Sequence, residues 1–519
     1  MLNPYVNDNG PGFAVGVVQD GRIVYTRYAG HANLDHMVPV DSLTRFNIAS
    51  NTKQYIAMMV LELANEQKLG LNDDFRDYLP AYLQDYSGTI TINNLLTHTS
   101  GIRDVYDLWS LQGKTWWQMF INNEDALSLI KHQRELNFAP GSEYLYSNSN
   151  YILLTALIEK VSGQSVDEYA TVFFTKLAMV HTGFLTNYMT VIEHKARPYG
   201  NWNGWLEYPS VATIYGDGGL FTTLPDQLAY EAVLQNKAIN DILPEEVVRM
   251  SQSQPLADIT YGYGIMHDTY KGKDYLYHDG NTGAYNATFF RFPEEKLSVV
   301  VMANDGNVPT NYLARMLSDK WLSLSSDIQQ YPAGPAKVGK SIPNSQLTGV
   351  YLTDGGTYIQ ITEKDGEIYR HIYGQQPVKL VNEEGNLFYY KTNKDLKIAF
   401  EKKEDDQRAF TIYIASQAPI EAHSVPDFST SPAYLLSLYG TYINAETNTE
   451  ITLGSAEGSA DSSAVSIIKN GNEQKGELAM SDLILMNEYQ MRVVRDDKGK
   501  VNSLSVDSNR IRNVRFEKR

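Results

Sequence analysis

The chain contains no cysteine in its 519 residues. That excludes disulfides, thiol nucleophiles and cysteine-ligated zinc, while leaving the compartment open. Cationic charge is also short: 44 lysines and arginines stand against 61 aspartates and glutamates, a formal net charge of −17. No basic patch offsets this surface, which argues against phosphate-backbone binding and so against a nucleic-acid partner. No apolar run approaches the roughly 18 residues that a transmembrane helix needs. The ten histidines are scattered, and none forms a His-x-x-x-His pair on a helix; neither a metal nor a cofactor is expected. At the N-terminus, Met1-Leu2-Asn3-Pro4-Tyr5 has no basic region and no apolar region of a leader. This fits a cytoplasmic chain or a mature form whose leader has been removed; the expectation is the latter, in a periplasmic or extracellular setting.

What is present describes a globular protein. Hydrophobic residues make up 43% and charged residues 20%, enough apolar surface for packed cores. The length suggests about three domains. Two β-rich runs flank Asp20-Gly21 and read as a hairpin. From about 52 to 255 the apolar periodicity is helical, at 127–132, 151–161, 166–177 and 224–234. Strand patterns return at 261–265, 275–278, 287–292 and 297–302, followed by a helix near 311–324. This order predicts an α+β domain over 1–327: an antiparallel sheet closed by the two ends of the domain, flanked by helices, with an all-helical lobe beside it. Beyond it, 330–335 and 424–432 have the composition of linkers. Each precedes a block of short alternating strands, at 341–423 and 434–519. Leu347-Thr348-Gly349-Val350-Tyr351 and Leu438-Tyr439-Gly440-Thr441-Tyr442 open the blocks alike, which suggests a repeated small antiparallel β-barrel.

The chemistry centres on Ser50-Asn51-Thr52-Lys53, at the polar mouth of an apolar helical run. Positions i and i+3 share a helix face, so the Lys53 ammonium lies beside the Ser50 hydroxyl. Unpaired N–H groups at a helix start favour a developing alkoxide, and a desolvated lysine can give up its proton and act as a base. Ser128-Leu129-Ile130-Lys131 and Ser466-Ile467-Ile468-Lys469 carry the same spacing without that setting, so partners must decide. Tyr146-Ser147-Asn148 precedes an apolar helix; a tyrosine beside a lysine can relay protons, and Asn148 can hold a substrate amide. His278-Asp279-Gly280-Asn281 ends a strand, where Gly280 would let a substrate backbone approach and the Asn281 N–H could face an oxyanion together with the Ser50 N–H. Asp217 and the Arg103-Asp104 pair read as loop salt bridges.

Ser50-x-x-Lys53, Tyr146-x-Asn148 and His278-x-Gly280, in that order, resemble the penicillin-recognising serine hydrolases, and most nearly class C β-lactamases, D-aminopeptidases and β-lactamase-like esterases. Leu95-Leu96-Thr97-His98-Thr99-Ser100-Gly101-Ile102 and Gly218-Gly219-Leu220-Phe221-Thr222-Thr223 look like further landmarks, read as scaffold. The resemblance implies a β-lactamase/transpeptidase-like catalytic domain followed by two lipocalin-like barrels. It makes Ser50 the acylated nucleophile, with Lys53 or Tyr146 as its base. Tyr146 becomes the proton shuttle and Asn148 the holder of the acyl side chain. His278 orients the substrate, and the Ser50 and Asn281 N–H groups form the oxyanion hole. His278 would replace a permanent lysine charge with one that titrates near neutrality. Peptides with D-residues, amides or esters then fit better than efficient β-lactam hydrolysis, with β-lactams as possible acylating ligands. The alternative is a catalytically silent penicillin-binding or peptide-sensing protein whose β domains bind a partner.

Overall fold

The computed structural model describes residues 2–519 apart from 202, 209–210, 236–241, 258, 323–333, 336, 354–355, 373–376, 392, 403–406, 415–418, 427–429, 457–463 and 487–488. The chain divides into two compact units, Met1–Ser326 and Asp327–Arg519. Most of the expected linker at 330–335 and the middle of that at 424–432 lie outside the described residues.

The first unit is built on a six-stranded sheet in the order Met266–Tyr270, Lys273–Thr282, Tyr285–Phe292, Leu297–Ala303, Phe13–Gln19, Arg22–Ala29. Every neighbour is antiparallel, and Phe13 pairs with Ala303 and Gln19 with Leu297, so the two ends of the unit meet inside the sheet. Strand Phe13–Gln19 is apolar up to its last residue because both its faces are covered. Phe13, Val15 and Val17 pack with Leu313 and Leu317 of the helix Thr310–Trp321. Ala14 and Val18 join the core shared with the helices between the two halves of the sheet. The run expected as a strand at 261–265 is instead a turn, with a single bridge from Tyr261 to Met266. Gly264, at a φ of 76°, lets the chain bend closely against the backbone of Lys53, Gly262 lies against the Ser253 carbonyl and the His267 ring, and the strand begins only at Met266.

Helix Lys53–Asn65 carries the serine site and is buried from Lys53 to Leu63. It is apolar around most of its circumference, the pattern of a helix inside a core rather than on a surface. Met58, Met59, Val60 and Leu63 are fully covered, each worth about 1.5–3 kcal/mol of burial. The helix packs on Asn148–Ser162 and Glu245–Ser251. A polar tie joins it to the sheet. Arg291 forms a two-pronged pair with Glu231, Nε to Oε2 at 2.9 Å and Nη2 to Oε1 at 2.6 Å, and also donates to Gln54 Oε1 at 3.2 Å. Ser298 Oγ donates to the same carboxylate at 2.7 Å.

The second unit holds two closed eight-stranded antiparallel barrels, Gly349–Thr353 through Ile420–Ser424 and Gly440–Asn444 through Val514–Lys518. The repeat is structural as well as textual. In each barrel a short helix leads into a glycine of positive φ, 142° at Gly349 and 140° at Gly440. The buried tyrosine two residues later donates back to that helix, Tyr351 to the Leu347 carbonyl at 2.8 Å and Tyr442 to the Leu438 carbonyl at 2.6 Å.

The Arg291–Glu231 pair generates a stability prediction. Glu231→Gln strands a buried guanidinium and should cost about 3–5 kcal/mol in the urea unfolding of the first unit. Replacing both partners together, Glu231→Leu with Arg291→Met, should cost clearly less. Equal losses in the two variants would show that packing, not the unpaired charge, sets the effect.

Candidate active site

Ser50 sits in the 3-10 turn Ala49–Thr52, one turn before the helix rather than within its first turn. Side chains at i and i+3 eclipse in a 3-10 turn, which brings Lys53 Nζ to 3.1 Å from Ser50 Oγ. Ala49, just ahead of the serine, holds φ at 47°, a left-handed conformation that costs a non-glycine residue on the order of 1–3 kcal/mol. Neighbours over-determine it. Asn47 Oδ1 accepts from the Ala49 N–H at 2.8 Å, Thr52 Oγ1 donates to the Ala49 carbonyl at 2.6 Å, and Asn51 Nδ2 donates to the Ala287 carbonyl at 3.1 Å.

Lys53 is 0% exposed. Besides Ser50, its Nζ donates to Asn148 Oδ1 at 2.9 Å and to the Asp217 carbonyl at 2.6 Å, so three acceptors meet the three N–H groups of an ammonium. The same nitrogen lies 4.9 Å from the centre of the Tyr146 ring and 5.6 Å from that of Tyr151. Asn148 is held in turn by the buried Asp104, whose Oδ2 accepts from the Asn148 N–H at 2.6 Å and from Nδ2 at 2.8 Å. Asp104 also caps the helix Val105–Leu111. A relay of contacts therefore runs from Asp104 through Asn148 and Lys53 to Ser50.

Tyr146 is half-buried against an aromatic cluster. Its ring centre is 4.3 Å from His98, 5.8 Å from Tyr261 and 6.2 Å from His278. His98 Nδ1 accepts the Ser147 N–H at 3.2 Å and lies 3.0 Å from Asn150 Nδ2, which fixes the imidazole with its acceptor toward the Tyr146 segment. His278 is buried, with Nδ1 2.7 Å from the Asp279 carbonyl and Nε2 3.0 Å from the Tyr261 hydroxyl. A carbonyl only accepts, so Nδ1 carries the proton and Nε2 accepts from the tyrosine. Burial, and then the nearby Lys53 charge, push its pKa down to about 3. This corrects the expectation of a histidine titrating near neutrality: His278 is neutral there, because a second buried cation beside Lys53 is unfavourable.

Gly280 also has a different reason from the expected one. A Cβ on it would lie 2.2 Å from the Ile48 carbonyl oxygen and 2.9 Å from Asn51 Nδ2. The missing side chain thus admits the backbone of the serine turn rather than that of a substrate. The outer neighbour of this strand pairs only as far as Tyr277, so among the described residues 278–282 present an open strand edge beside Ser50. Asn281 is exposed on the strand face opposite His278 and Gly280, and its Nδ2 bonds Asn286 Oδ1.

The structure thus brings Ser50, Lys53, Tyr146, Asn148, His278 and Gly280 together, with Asn281 next in line. It adds residues that the sequence reading had set aside. Asp104 and Asp217 are buried within the Lys53 network rather than in loop salt bridges, and the ion pair that Arg103 makes is with Glu135, at 3.6 Å. His98 and Tyr261 form the floor under Tyr146. Asp104 left one local signal, an aspartate just ahead of a helical run, which is a helix cap.

The Beta-lactamase family matches residues 4–316 of this chain. The D-aminopeptidase of Cereibacter sphaeroides (strain ATCC 17029 / ATH 2.4.9) is 31% identical over 304 residues, and the match covers 57% of this chain and 57% of that protein's length. A penicillin-binding protein of Bacillus subtilis (strain 168) is 25% identical over 423 residues, covering 76% of this chain and 91% of that one. Among solved structures, the octameric penicillin-binding protein homologue from Pyrococcus abyssi aligns with a TM-score of 0.57 at 22% identity, over 80% of this chain and 96% of that chain. That likeness bears on the fold. With its family match running over more than half of the sequence, the chain belongs to the beta-lactamase family.

Proposed function

We propose that the chain is a metal-free serine hydrolase that works through an acyl-enzyme on Ser50, as a peptidase or amidase on D-amino-acid-containing peptides or as an esterase. The observation that carries this reading is the 3.1 Å contact between Lys53 Nζ and Ser50 Oγ beside an open strand edge. An extended substrate can lie along that edge by main-chain hydrogen bonding. Ser50 Oγ then attacks the carbonyl carbon, and its proton passes to Tyr146, whose phenolate form the Lys53 ammonium favours, or to Lys53 once that ammonium has given up a proton of its own. The leaving amine or alcohol takes a proton as its bond to carbon breaks, and water releases the acyl group from Ser50 in the same way. Two polarised N–H groups, those of Ser50 and Asn281, are the candidates to hold the oxyanion. The similarity to a D-aminopeptidase supports D-residues as substrates.

The neutral His278 favours this reading over efficient β-lactam hydrolysis, since it offers a substrate carboxylate a hydrogen-bonding neighbour instead of a fixed cation. Benzylpenicillin should therefore acylate Ser50 and be released more slowly than an amide or ester product. Faster penicillin turnover than turnover of any D-amino-acyl amide would overturn that preference.

Ser50→Ala should lower kcat/KM for a D-amino-acyl p-nitroanilide by about a thousandfold or more; a variant that keeps wild-type turnover removes Ser50 from the mechanism. The pH dependence carries a sign of its own. Because His278 stays neutral in the fold down to about pH 3 while an unfolded histidine takes up a proton below about 6.5, its contribution to stability is complete above 6.5. That contribution is lost as pH falls toward 3. The stability gap between wild type and His278→Gln should accordingly narrow from pH 7 to pH 4 in thermal unfolding. A gap that widens on acidification would mean that His278 is charged in the fold.

A further inference from the structure

The first barrel of the second unit holds a charge that its fold does not use. Arg370, in the strand Glu367–Ile372, stands opposite Ile361 on one neighbouring strand and Val378 on the other. Directly opposed residues of adjacent strands share a face. Ile361 belongs to the barrel core and Val378 packs against it, so Arg370 points inward. Its Cζ lies 5.5 Å from the centre of the Tyr390 ring, which is part of the same core. Nε is buried without a hydrogen-bond partner, and the guanidinium makes no ion pair among the described residues. The Tyr390 hydroxyl likewise makes no hydrogen bond among them. Burial pushes the Arg370 pKa below the ordinary arginine value, with Tyr390 pulling the other way. Arg291, by contrast, is buried against the Glu231 carboxylate.

The second barrel shows that this fold does not ask for a cation here. Gly349 pairs with Ile361 and Ile361 with Arg370; Gly440 pairs with Leu453 and Leu453 with Ile467. Ile467 therefore takes the place of Arg370 in the repeat, and it is 0% exposed. An inward charge without a counter-charge costs stability where an isoleucine would not, and a ligand that brings the counter-charge offsets that cost. Solvent reaches the position. Ile372 ends its strand and Val378 begins the next, which sets Arg370 at one mouth of the barrel, and all three residues are only half-buried.

We propose that this mouth of the first barrel binds a small amphipathic carboxylate, its charged end on the Arg370 guanidinium and the Tyr390 hydroxyl and its apolar body against Ile372 and Val378. The planar fork of an arginine matches a carboxylate with two parallel hydrogen bonds, and a tyrosine hydroxyl adds a third donor. An eight-stranded barrel has room inside for its own side chains or for one small ligand. Here side chains fill the core, so the ligand rests at the mouth. The site is separate from Ser50 and does not depend on the hydrolase reading.

The test is calorimetric titration of the full chain with octanoate, 1-octanol and acetate near neutral pH. The wild type should bind octanoate, and should bind octanol, which lacks the charge, and acetate, which lacks the apolar body, about tenfold or more weakly. Arg370→Ile should weaken octanoate about tenfold or more and leave octanol unchanged. Arg370→Lys, which keeps the charge without the fork, should fall between, and Tyr390→Phe should cost less than Arg370→Ile. Since Ile467 fills the same position in the second barrel, Arg370→Ile should melt no earlier than the wild type. A lower melting temperature would make Arg370 a support of the barrel and overturn the proposal. So would an absence of octanoate binding, equal binding of octanoate by wild type and Arg370→Ile, or equal affinities of the wild type for octanoate and octanol.

Discussion

The burial of the Lys53 side chain is the constraint on which the rest of this domain turns. An ammonium removed from water has to be met by acceptors, and each acceptor imposes an address on a different part of the chain. Ser50 comes from the preceding 3-10 turn, Asn148 from the start of a helix about a hundred residues later, and the Asp217 carbonyl from the stretch before Gly218-Gly219. Asp104 then fixes Asn148. Four distant segments are thereby held around a single nitrogen. The neutrality of His278 follows from the same fact, since the charge that Lys53 already supplies, on top of burial, disfavours another.

This arrangement explains why some of the site could be read from the sequence and some could not. Ser50 and Lys53 were legible because their relation is local: i and i+3 meet whether the turn is 3-10 or α. Tyr146-x-Asn148 and His278-x-Gly280 were legible only through their order along the chain. The meaning of Asp104, Asp217 and His98 is set by contacts with residues 44 to 164 positions away, and no short pattern carries that. At Gly280 the expected close approach is there but its partner is the serine turn, because a glycine in a strand signals close approach without saying of what. For His278, residue type suggests titration near neutrality, whereas depth of burial decides it.

The fold was easier to read than the site. Alternating apolar residues and turn pairs specify strands locally, and the recurrence of Leu-x-Gly-x-Tyr at 347–351 and 438–442 carried the barrel repeat. The structure supplies its reason. In both barrels the tyrosine ties the first strand back to the helix before it, and a glycine of positive φ makes the bend between them. The sheet of the first unit needed only the order of its strands, since a strand covered on both faces, such as Phe13–Gln19, reads as an apolar run up to its last residue.

The central claim is that a buried Lys53 activates Ser50 as a nucleophile. It is tested most directly by the rate at which a fluorophosphonate forms an adduct, followed by intact mass, in wild type, Ser50→Ala and Lys53→Met. The account predicts one adduct on the wild type, none on Ser50→Ala, and labelling slowed by about a hundredfold or more in a folded Lys53→Met. Labelling of Ser50→Ala, or equal rates in wild type and Lys53→Met, would contradict it.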